Sequence, residues 1–294
     1  MPKKNLSPQQ LALIDEKYNW RDLPKPKNFL LHSYRCALKL FWIFFIGFGA
    51  VILSTITFPL LKIFVHPAAR YKRSMKFLVT HSFKFFVFLL KISCVTDVKC
   101  DGKDKLKELK SKVVVANHPS MLDIVMLISL IPGATVIAGE NYTHTPLGGV
   151  IKACYIINSL DFDEMCRRCK KCLDEGENVI IFPEGTRTPR HGSGTYKKGA
   201  ARIAKAAGAN ILPILIAGSD KFGLGKHNPF WSYNPVEKLF YHIIPLEEID
   251  IGEYTEMDDP AAAKRITQKI YGTIKDAAEK YRENHPYTQT VNNV

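Results

Sequence analysis

Acidic side chains are missing from residues 23–96, although the chain of 294 residues contains 28 of them elsewhere. Eleven lysine and arginine residues lie in this stretch, and the whole chain has a formal charge of +13. The rest of the chain, outside residues 23–96, is therefore close to neutral, and the protein is not uniformly basic. Such a basic region is attracted to polyanions, and anionic lipid headgroups and nucleic acid are the two candidates.

Charged side chains of either sign are missing from residues 40–61, a run of 22 residues between Lys39 and Lys62. About 20 apolar residues of helix cross a hydrocarbon core of roughly 30 Å. Trp42 lies near one end of the run, where interfacial aromatic residues are common. The run begins too far from Met1 to resemble a cleavable signal peptide. We therefore predict a retained membrane anchor, the alternative being a buried core helix.

A second apolar segment, residues 77–95, is interrupted by His81, Lys84 and Lys91. It suits an interfacial or re-entrant helix better than a span. Because the cations flank a bilayer-length apolar run, membrane lipids are favoured over nucleic acid as the partner. Within residues 23–96, seven basic residues follow the run and four precede it, so the positive-inside rule favours a C-terminal domain on the cytoplasmic face of the membrane.

The cysteines do not form the pattern of a disulfide framework, because there are seven of them in a long chain. Cys166, Cys169 and Cys172 have C-x2-C-x2-C spacing, but no fourth metal ligand lies nearby in the sequence. On a helix these three side chains share one face. We predict a helix whose small apolar positions face the core, with free thiols and no bound metal.

The pattern of the chain divides it into three parts. Residues 1–34 form a polar N-terminal arm, residues 35–100 form basic, apolar membrane-anchoring helices, and residues 101–294 form a domain that ends in a docking helix. Predicted strands cover residues 113–116, 135–138, 155–157, 179–182, 211–217 and 239–244. Predicted helices cover residues 121–131, 162–174 and 198–207, and a last helix capped by Asp259. Continuous apolar strands separated by helices indicate an α/β fold with a mostly parallel sheet flanked by helices.

A first group of candidate site residues is Asn117, His118 and Asp123, directly after the strand VVVA. Open α/β sheets bind ligands at the carboxyl edge, where this motif lies. One ring nitrogen of a histidine accepts a proton near neutral pH, and a carboxylate that is hydrogen-bonded to the other ring nitrogen fixes the tautomer. Within one regular helix the two side chains would point roughly 140° apart. Their pairing therefore requires a loop-to-helix junction, and we expect His118 at or near the helix N-cap.

A second group follows another strand, within the run FPEGTRT at residues 182–188. Arg187 offers a planar fork of donors that matches a phosphate. Gly185 allows backbone to approach a ligand, and Thr186 adds a hydroxyl. We expect Glu184 to orient Arg187 or to accept a hydrogen bond from a substrate hydroxyl. The alternative is a rigid turn with a surface ion pair of little energetic value.

Together these motifs resemble the lysophospholipid acyltransferase family, of which the 1-acyl-glycerol-3-phosphate acyltransferases are well-known members. The N-H-x4-D block of that family matches Asn117, His118 and Asp123, and the F-P-E-G-T-R-[ST] block matches residues 182–188. A short apolar run around a proline matches residues 211–214. The resemblance covers residues 113–217 and implies a glycerolipid acyltransferase-like fold behind N-terminal membrane helices.

The resemblance also implies a reaction. His118 would be the general base for a lipid hydroxyl that attacks an acyl thioester directly, and Asp123 would hold and polarise it. Glu184, Gly185, Thr186 and Arg187 would bind the acceptor. The donor would be acyl-CoA or acyl-carrier protein, with no metal or redox cofactor.

One block departs from the family pattern. The family's second block ends in an apolar pair followed by Asp-Arg, and its arginine helps to bind the acceptor phosphate. Residues 155–159 read YIINS here, so this cation is missing. A lipid hydroxyl other than that of lysophosphatidate, for example on a lyso-amino-acid lipid or a specialised glycolipid, is therefore an alternative acceptor.

Two further functional classes remain open at the level of sequence. A thioesterase or lipase would use water or a serine nucleophile, but no G-x-S-x-G motif is present. A membrane scaffold with an inactive transferase fold would tolerate changes at His118 and Asp123.

Overall fold

The computed structural model describes residues 7–192 and 194–284. Within them a seven-stranded sheet has the strand order β1-β7-β6-β2-β5-β3-β4. The strands are β1 Thr96–Cys100, β2 Val113–Ala116, β3 Thr135–Ala138, β4 Ile156–Ile157, β5 Val179–Ile181, β6 Ile211–Gly218 and β7 Leu239–Pro245. All neighbouring pairs are parallel except β6 and β7, which are antiparallel. The predicted mostly parallel sheet is confirmed.

Helices cover both faces of the sheet, which explains why the central strands are continuous apolar runs. Every residue of β2, β5 and β6 is buried. The helices beyond the N-terminal region are α5 Lys103–Glu108, α6 Asp123–Leu130, α7 Gly148–Cys154, α8 Phe162–Asp174, α9 Gly199–Ala207 and α10 Asp259–Asn284. Two apolar clusters result, one on each face of the sheet.

The C-terminal helix α10 lies against one of these clusters. Its buried positions recur along one face and include Ile266, Ile270, Ile274 and Ala278, as the sequence pattern predicted. The prediction that Asp259 caps it was wrong. The carboxylate of the preceding residue, Asp258, accepts a hydrogen bond from the backbone N–H of Ala261 at 3.1 Å, whereas Asp259 forms an ion pair with Lys205. The predicted third part of the chain also includes residues 285–294, which lie outside the described residues.

Strand β1 was not predicted. Its sequence, TDVKC, alternates polar and apolar side chains and contains no continuous apolar run. It lies at the edge of the sheet and pairs only with β7 within the described chain. An edge strand needs only one buried face, so its local signal is weak.

The segment predicted as an N-terminal anchor is one long helical rod. Helix α2 (Phe29–Ile52) continues through a π-helical turn (Leu53–Thr57) into α3 (Phe58–Phe64). Pro59 lies in the first turn of α3 and cannot continue a regular hydrogen-bond ladder, which accounts for the irregular turn before it. The rod is long and apolar enough to cross a membrane, and only 22% of its most apolar stretch is buried in the fold.

Helix α4 (Ala68–Ile92) follows the rod in the chain and has one buried and one exposed apolar face. Val79, Phe83 and Phe86 are buried in the core. Phe77, Phe85 and Phe88 are exposed. The segment predicted as interfacial therefore also forms part of the core. Helix α1 (Pro8–Tyr18) precedes the rod, and residues 1–6 of the predicted arm lie outside the described residues.

Candidate active site

Three neighbouring parallel strands end at one edge of the sheet, and their loops form the candidate active site. Strand β2 lies between β5 and β6 and is parallel to both. Residues 117–122 follow β2, residues 182–192 follow β5, and residues 219–228 follow β6. Because parallel strands share their carboxyl edge, the two sequence motifs and a third loop meet there.

His118 and Asp123 are in direct contact. The Nδ1 atom of His118 lies 2.8 Å from Oδ2 of Asp123, and the carboxylate is fully buried. Helix α6 begins only at Asp123, so the prediction that His118 lies at or near the helix N-cap was wrong. The intervening residues form a turn, and this turn allows the histidine to fold back onto the carboxylate. The Nε2 atom is left as the ring nitrogen that can exchange a proton with a substrate.

Ser120 holds the Asp123 carboxylate from within this turn. Its backbone N–H donates to Oδ2 at 2.7 Å, and its hydroxyl lies 2.6 Å from Oδ1. The Ser120 hydroxyl is in turn 2.8 Å from the hydroxyl of Tyr241 on β7. Since an ionised Asp123 only accepts, the Tyr241 hydroxyl donates to Ser120, which donates to Asp123.

A buried lysine lies behind this chain of hydrogen bonds. The ammonium of Lys221 is 4.6 Å from the centre of the Tyr241 ring and donates to the carbonyl of Phe240 at 2.7 Å. Burial lowers the pKa of Lys221 to about 8, against the opposing charge of Asp123. Tyr241 and Lys221 were missed by the sequence analysis, because no local motif marks either of them.

The FPEGTRT loop is bound to the backbone of His118. Thr188 N–H donates to the carbonyl of His118 at 2.7 Å. The N–H of His118 donates to Oγ1 of Thr188 at 2.9 Å and to Oε1 of Glu184 at 3.3 Å. Burial raises the pKa of Glu184, whereas its hydrogen bonds to Thr188 and His118 lower it. Glu184 thus supports the histidine loop, rather than orienting Arg187 as one prediction had it.

The other predicted acceptor residues lie along the same loop. The Nη1 atom of Arg187 donates to the carbonyls of Leu224 and Gly225 at 2.9 and 2.8 Å, which fixes the guanidinium against the third loop. Gly185 has a φ of +64°, and a Cβ there would lie 2.9 Å from the ammonium of Lys197, so both backbone and space favour glycine. Thr186 lies half-buried between them.

His118 also stacks on Phe182, the first residue of the second motif. Their ring centres are 4.1 Å apart and the planes are inclined by 24°. This contact limits the orientations of the imidazole. Phe182 is part of the sequence motif, but no role in positioning His118 was predicted for it.

The remaining predicted sites lie elsewhere. Asn158 belongs to residues 155–159, the block that departs from the family pattern, and follows β4, which pairs with β3. Its side-chain oxygen accepts a hydrogen bond from the N–H of Glu140 at 2.9 Å. Cys169 and Cys172 are buried in the core, as expected from their helical spacing, and Cys166 is partly buried. Residues 7–192 and 194–284 contain no cluster of three or more histidine, cysteine or acidic side chains suited to a metal ion.

Comparisons with known proteins find sequence similarity to acyltransferases. Residues 97–217 match the model of the family described as Acyltransferase. The chain is 28% identical to a 1-acyl-sn-glycerol-3-phosphate acyltransferase of Saccharomyces cerevisiae, over 65% of this chain and 64% of the relative. It is 32% identical to a chloroplastic 1-acyl-sn-glycerol-3-phosphate acyltransferase of Arabidopsis thaliana, over 42% of this chain and 37% of the relative.

A solved structure shares the fold. The 1-acyl-sn-glycerophosphate acyltransferase of Thermotoga maritima superposes with a TM-score of 0.65 at 19% identity, covering 84% of this chain and 96% of that one. The chain spans between about a third and two thirds of the length of the first curated relatives. Residues 97–217 are therefore similar in sequence to the acyltransferase family, and the fold that contains them is shared with a solved acyltransferase. The resemblance to 1-acyl-glycerol-3-phosphate acyltransferases predicted from the motifs is confirmed.

Proposed function

We propose that the protein is a membrane-bound O-acyltransferase that moves a fatty acyl group from an acyl thioester to a hydroxyl of a lysophospholipid-type acceptor. The observation that supports this most strongly is the contact of His118 with a buried Asp123 at the sheet edge, beside a loop that presents Arg187. The curated relatives are named for transfer to 1-acyl-sn-glycerol-3-phosphate. Lysophosphatidate is accordingly the first acceptor to test.

The chemistry requires one proton shuttle. Nε2 of His118 accepts the proton of the acceptor hydroxyl as its oxygen attacks the thioester carbonyl. The tetrahedral intermediate then expels the thiolate, which takes the proton from the imidazolium. Asp123 stabilises the imidazolium and holds the ring through Nδ1. The ester and free thiol balance the reactants, so no step calls for a redox group or a resident metal.

The donor is proposed to be acyl-CoA or acyl-carrier protein, because both present a thioester. Arg187 would bind an anionic group of the acceptor with the donors that Leu224 and Gly225 leave free. Gly185 and Thr186 would let the headgroup approach the loop, and Glu184 would maintain the loop's position beside His118. An acceptor without a phosphate remains the alternative, since residues 155–159 lack the family's arginine.

We further propose that the protein is a membrane protein whose catalytic domain faces the cytoplasm. The exposed apolar rod Phe29–Phe64 supports membrane association. The basic residues that follow residue 61 outnumber those that precede residue 40 within the acid-free region, which supports the orientation. Protease accessibility of the domain in sealed vesicles would test that orientation.

Activity of the purified protein tests the main proposal. General base catalysis typically contributes about 10² to 10⁴-fold, so His118→Ala should lower kcat with lysophosphatidate and acyl-CoA by that range. His144→Ala is a matched control, because His144 is exposed and lies outside the site. Undiminished transfer by the His118 variant would exclude the mechanism.

The two other classes have their own readouts. A thioesterase would release free thiol from the thioester at full rate without acceptor. An inactive scaffold would give no transfer from any donor. A comparison of cellular lipids with and without the protein identifies the product class, including a product other than phosphatidate.

A further inference from the structure

A second cation, Lys226, lies on the loop that follows β6, and this loop contacts Arg187. The Nη1 atom of Arg187 donates to the carbonyls of Leu224 and Gly225, and Lys226 is the next residue. Burial lowers the pKa of Lys226, and the charge of Arg187 lowers it further. Since the Arg187 guanidinium contacts the carbonyl of Gly225, the residue before Lys226, the two positive charges lie close enough to repel one another.

No carboxylate is ion-paired with either of these two cations in the described part of the chain. Across residues 7–192 and 194–284, neither Arg187 nor Lys226 forms an ion pair. Oε1 of Glu184 accepts hydrogen bonds from the Thr188 hydroxyl and from the backbone N–H of His118, and burial raises the pKa of the Glu184 carboxyl group. Adjacent like charges without a counter-charge are unfavourable unless an anion binds between them.

The N-terminal arm forms a wall of this cationic site. Tyr18, the last residue of α1, is buried. The ammonium of Lys226 lies 5.3 Å from the centre of the Tyr18 ring. The centre of the His227 ring lies 5.0 Å from the centre of the same Tyr18 ring. Burial raises the pKa of Tyr18, the charge of Glu184 raises it further, and the charge of Arg187 lowers it. Both of these side chains are therefore close to Tyr18.

The arm is fastened in this position by the loop that carries Arg187. The Nη2 atom of Arg190 donates to Oδ2 of Asp22 at 2.8 Å, and its Nη1 donates to the carbonyl of Asn19 at 2.9 Å. The N–H of His191 donates to the carbonyl of Lys17 at 3.0 Å. Tyr18 is thus placed by contacts on both sides of it in the chain.

We propose that Lys226 and Arg187 together form the headgroup subsite of this protein, walled by Tyr18, and that its ligand is a phosphate monoester on a lipid. The inference rests on the proposed function and deepens it. Lys226 would supply from the β6 loop the second cation that residues 155–159 lack. It also favours lysophosphatidate over an uncharged glycolipid as acceptor, because a doubly charged phosphate balances two cations.

Steady-state kinetics test the role of Lys226. Lys226→Met should raise the KM for lysophosphatidate about tenfold or more, while the KM for acyl-CoA stays constant. Lys226→Arg should restore most of the affinity. Lys269→Met on α10 is the matched control, since Lys269 is exposed on the domain surface. With monoacylglycerol, which has no phosphate, the Lys226 variant should match the wild type. An unchanged KM, or an equal loss with both acceptors, would overturn the proposal.

Binding measurements separate this proposal from the proposed function. Lysophosphatidate in detergent micelles is titrated calorimetrically into His118→Ala and into the double variant His118→Ala/Lys226→Met. A tenfold weaker Kd in the double variant supports the subsite even if the wild type shows no transfer, whereas equal Kd values refute the subsite. Competition by inorganic phosphate and by glycerol 3-phosphate then shows whether the free anion or the glycerol-linked headgroup is the preferred ligand.

Discussion

Thr188 and His118 are hydrogen-bonded to each other in both directions. The N–H of Thr188 donates to the carbonyl of His118, and the N–H of His118 donates to the Thr188 hydroxyl. Seventy positions separate the two residues in the chain. The proposed base and the loop proposed to bind the acceptor are consequently joined, so that a shift of either loop displaces the other.

This coupling predicts a catalytic effect of Thr188. Thr188→Val keeps the shape but removes the acceptor for the His118 N–H, which leaves Glu184 Oε1 at 3.3 Å as its remaining partner. A hydrogen bond of this kind contributes about 1 kcal/mol, so kcat should fall about fivefold to tenfold. Thr188→Ser retains the hydroxyl and should retain activity. Equal kcat values for the valine variant and the wild type would show that the bond does not position the base.

The hydrogen-bond chain from Tyr241 through Ser120 predicts a second effect. Tyr241→Phe removes only the hydroxyl, after which Ser120 is no longer fixed as a donor to Asp123. We expect kcat to fall about tenfold with both KM values unchanged, because Tyr241 is fully buried and lies behind Ser120 and Asp123.

A double-mutant cycle tests whether these two side chains act together. Ser120→Ala should lower kcat by a similar factor, and the double variant should be scarcely worse than either single one. Losses that multiply would mean that Tyr241 and Ser120 act independently. Thermal unfolding of each variant identifies a loss of activity that comes only from lost stability.

The positions of the two motifs could be predicted from sequence because each follows a short, β-branched apolar strand. The bounds of β2 and β3 were predicted correctly for this reason. Their adjacency in the sheet could not be derived from periodicity, since strand order depends on long-range packing. The resemblance to a known family indicated that the motifs act together, and the parallel pairing of β2 and β5 accounts for it.

The supporting residues could not be predicted, because none belongs to a local pattern. Tyr241 is one aromatic residue among several in an ordinary strand, and Lys221 is one of many lysines. Tyr18 and Lys226 lie more than 200 residues apart and meet only in the folded chain. The N-cap of α6 was predicted at or near His118, whereas a turn separates His118 from Asp123, the residue at which the helix begins.

Arg187 should affect acceptor binding and loop position together. Its Nη1 atom is fixed by two carbonyls of the third loop, and its remaining donors are the ones available to a ligand. Arg187→Ala should raise the KM for lysophosphatidate by at least tenfold and lower kcat by a smaller factor. Arg187→Lys should recover only part of the affinity, since an ammonium lacks the planar fork. An acceptor KM equal to that of the wild type would remove Arg187 from the headgroup subsite.

The burial of Glu184 predicts a pH-dependent stability. Burial raises its folded-state pKa above the ordinary value of 4.5, so as pH rises past 4.5 the unfolded chain releases this proton first and the folded state loses stability until its own pKa is passed. Glu184→Gln keeps an oxygen that accepts from Thr188 and His118 but cannot ionise. The variant should match the wild type at the lowest pH tolerated and gain in relative Tm over the range of pH above 4.5 in which the unfolded chain is ionised at this position and the folded chain is not. A constant Tm difference across that range, measured by thermal unfolding in detergent, would contradict the raised pKa.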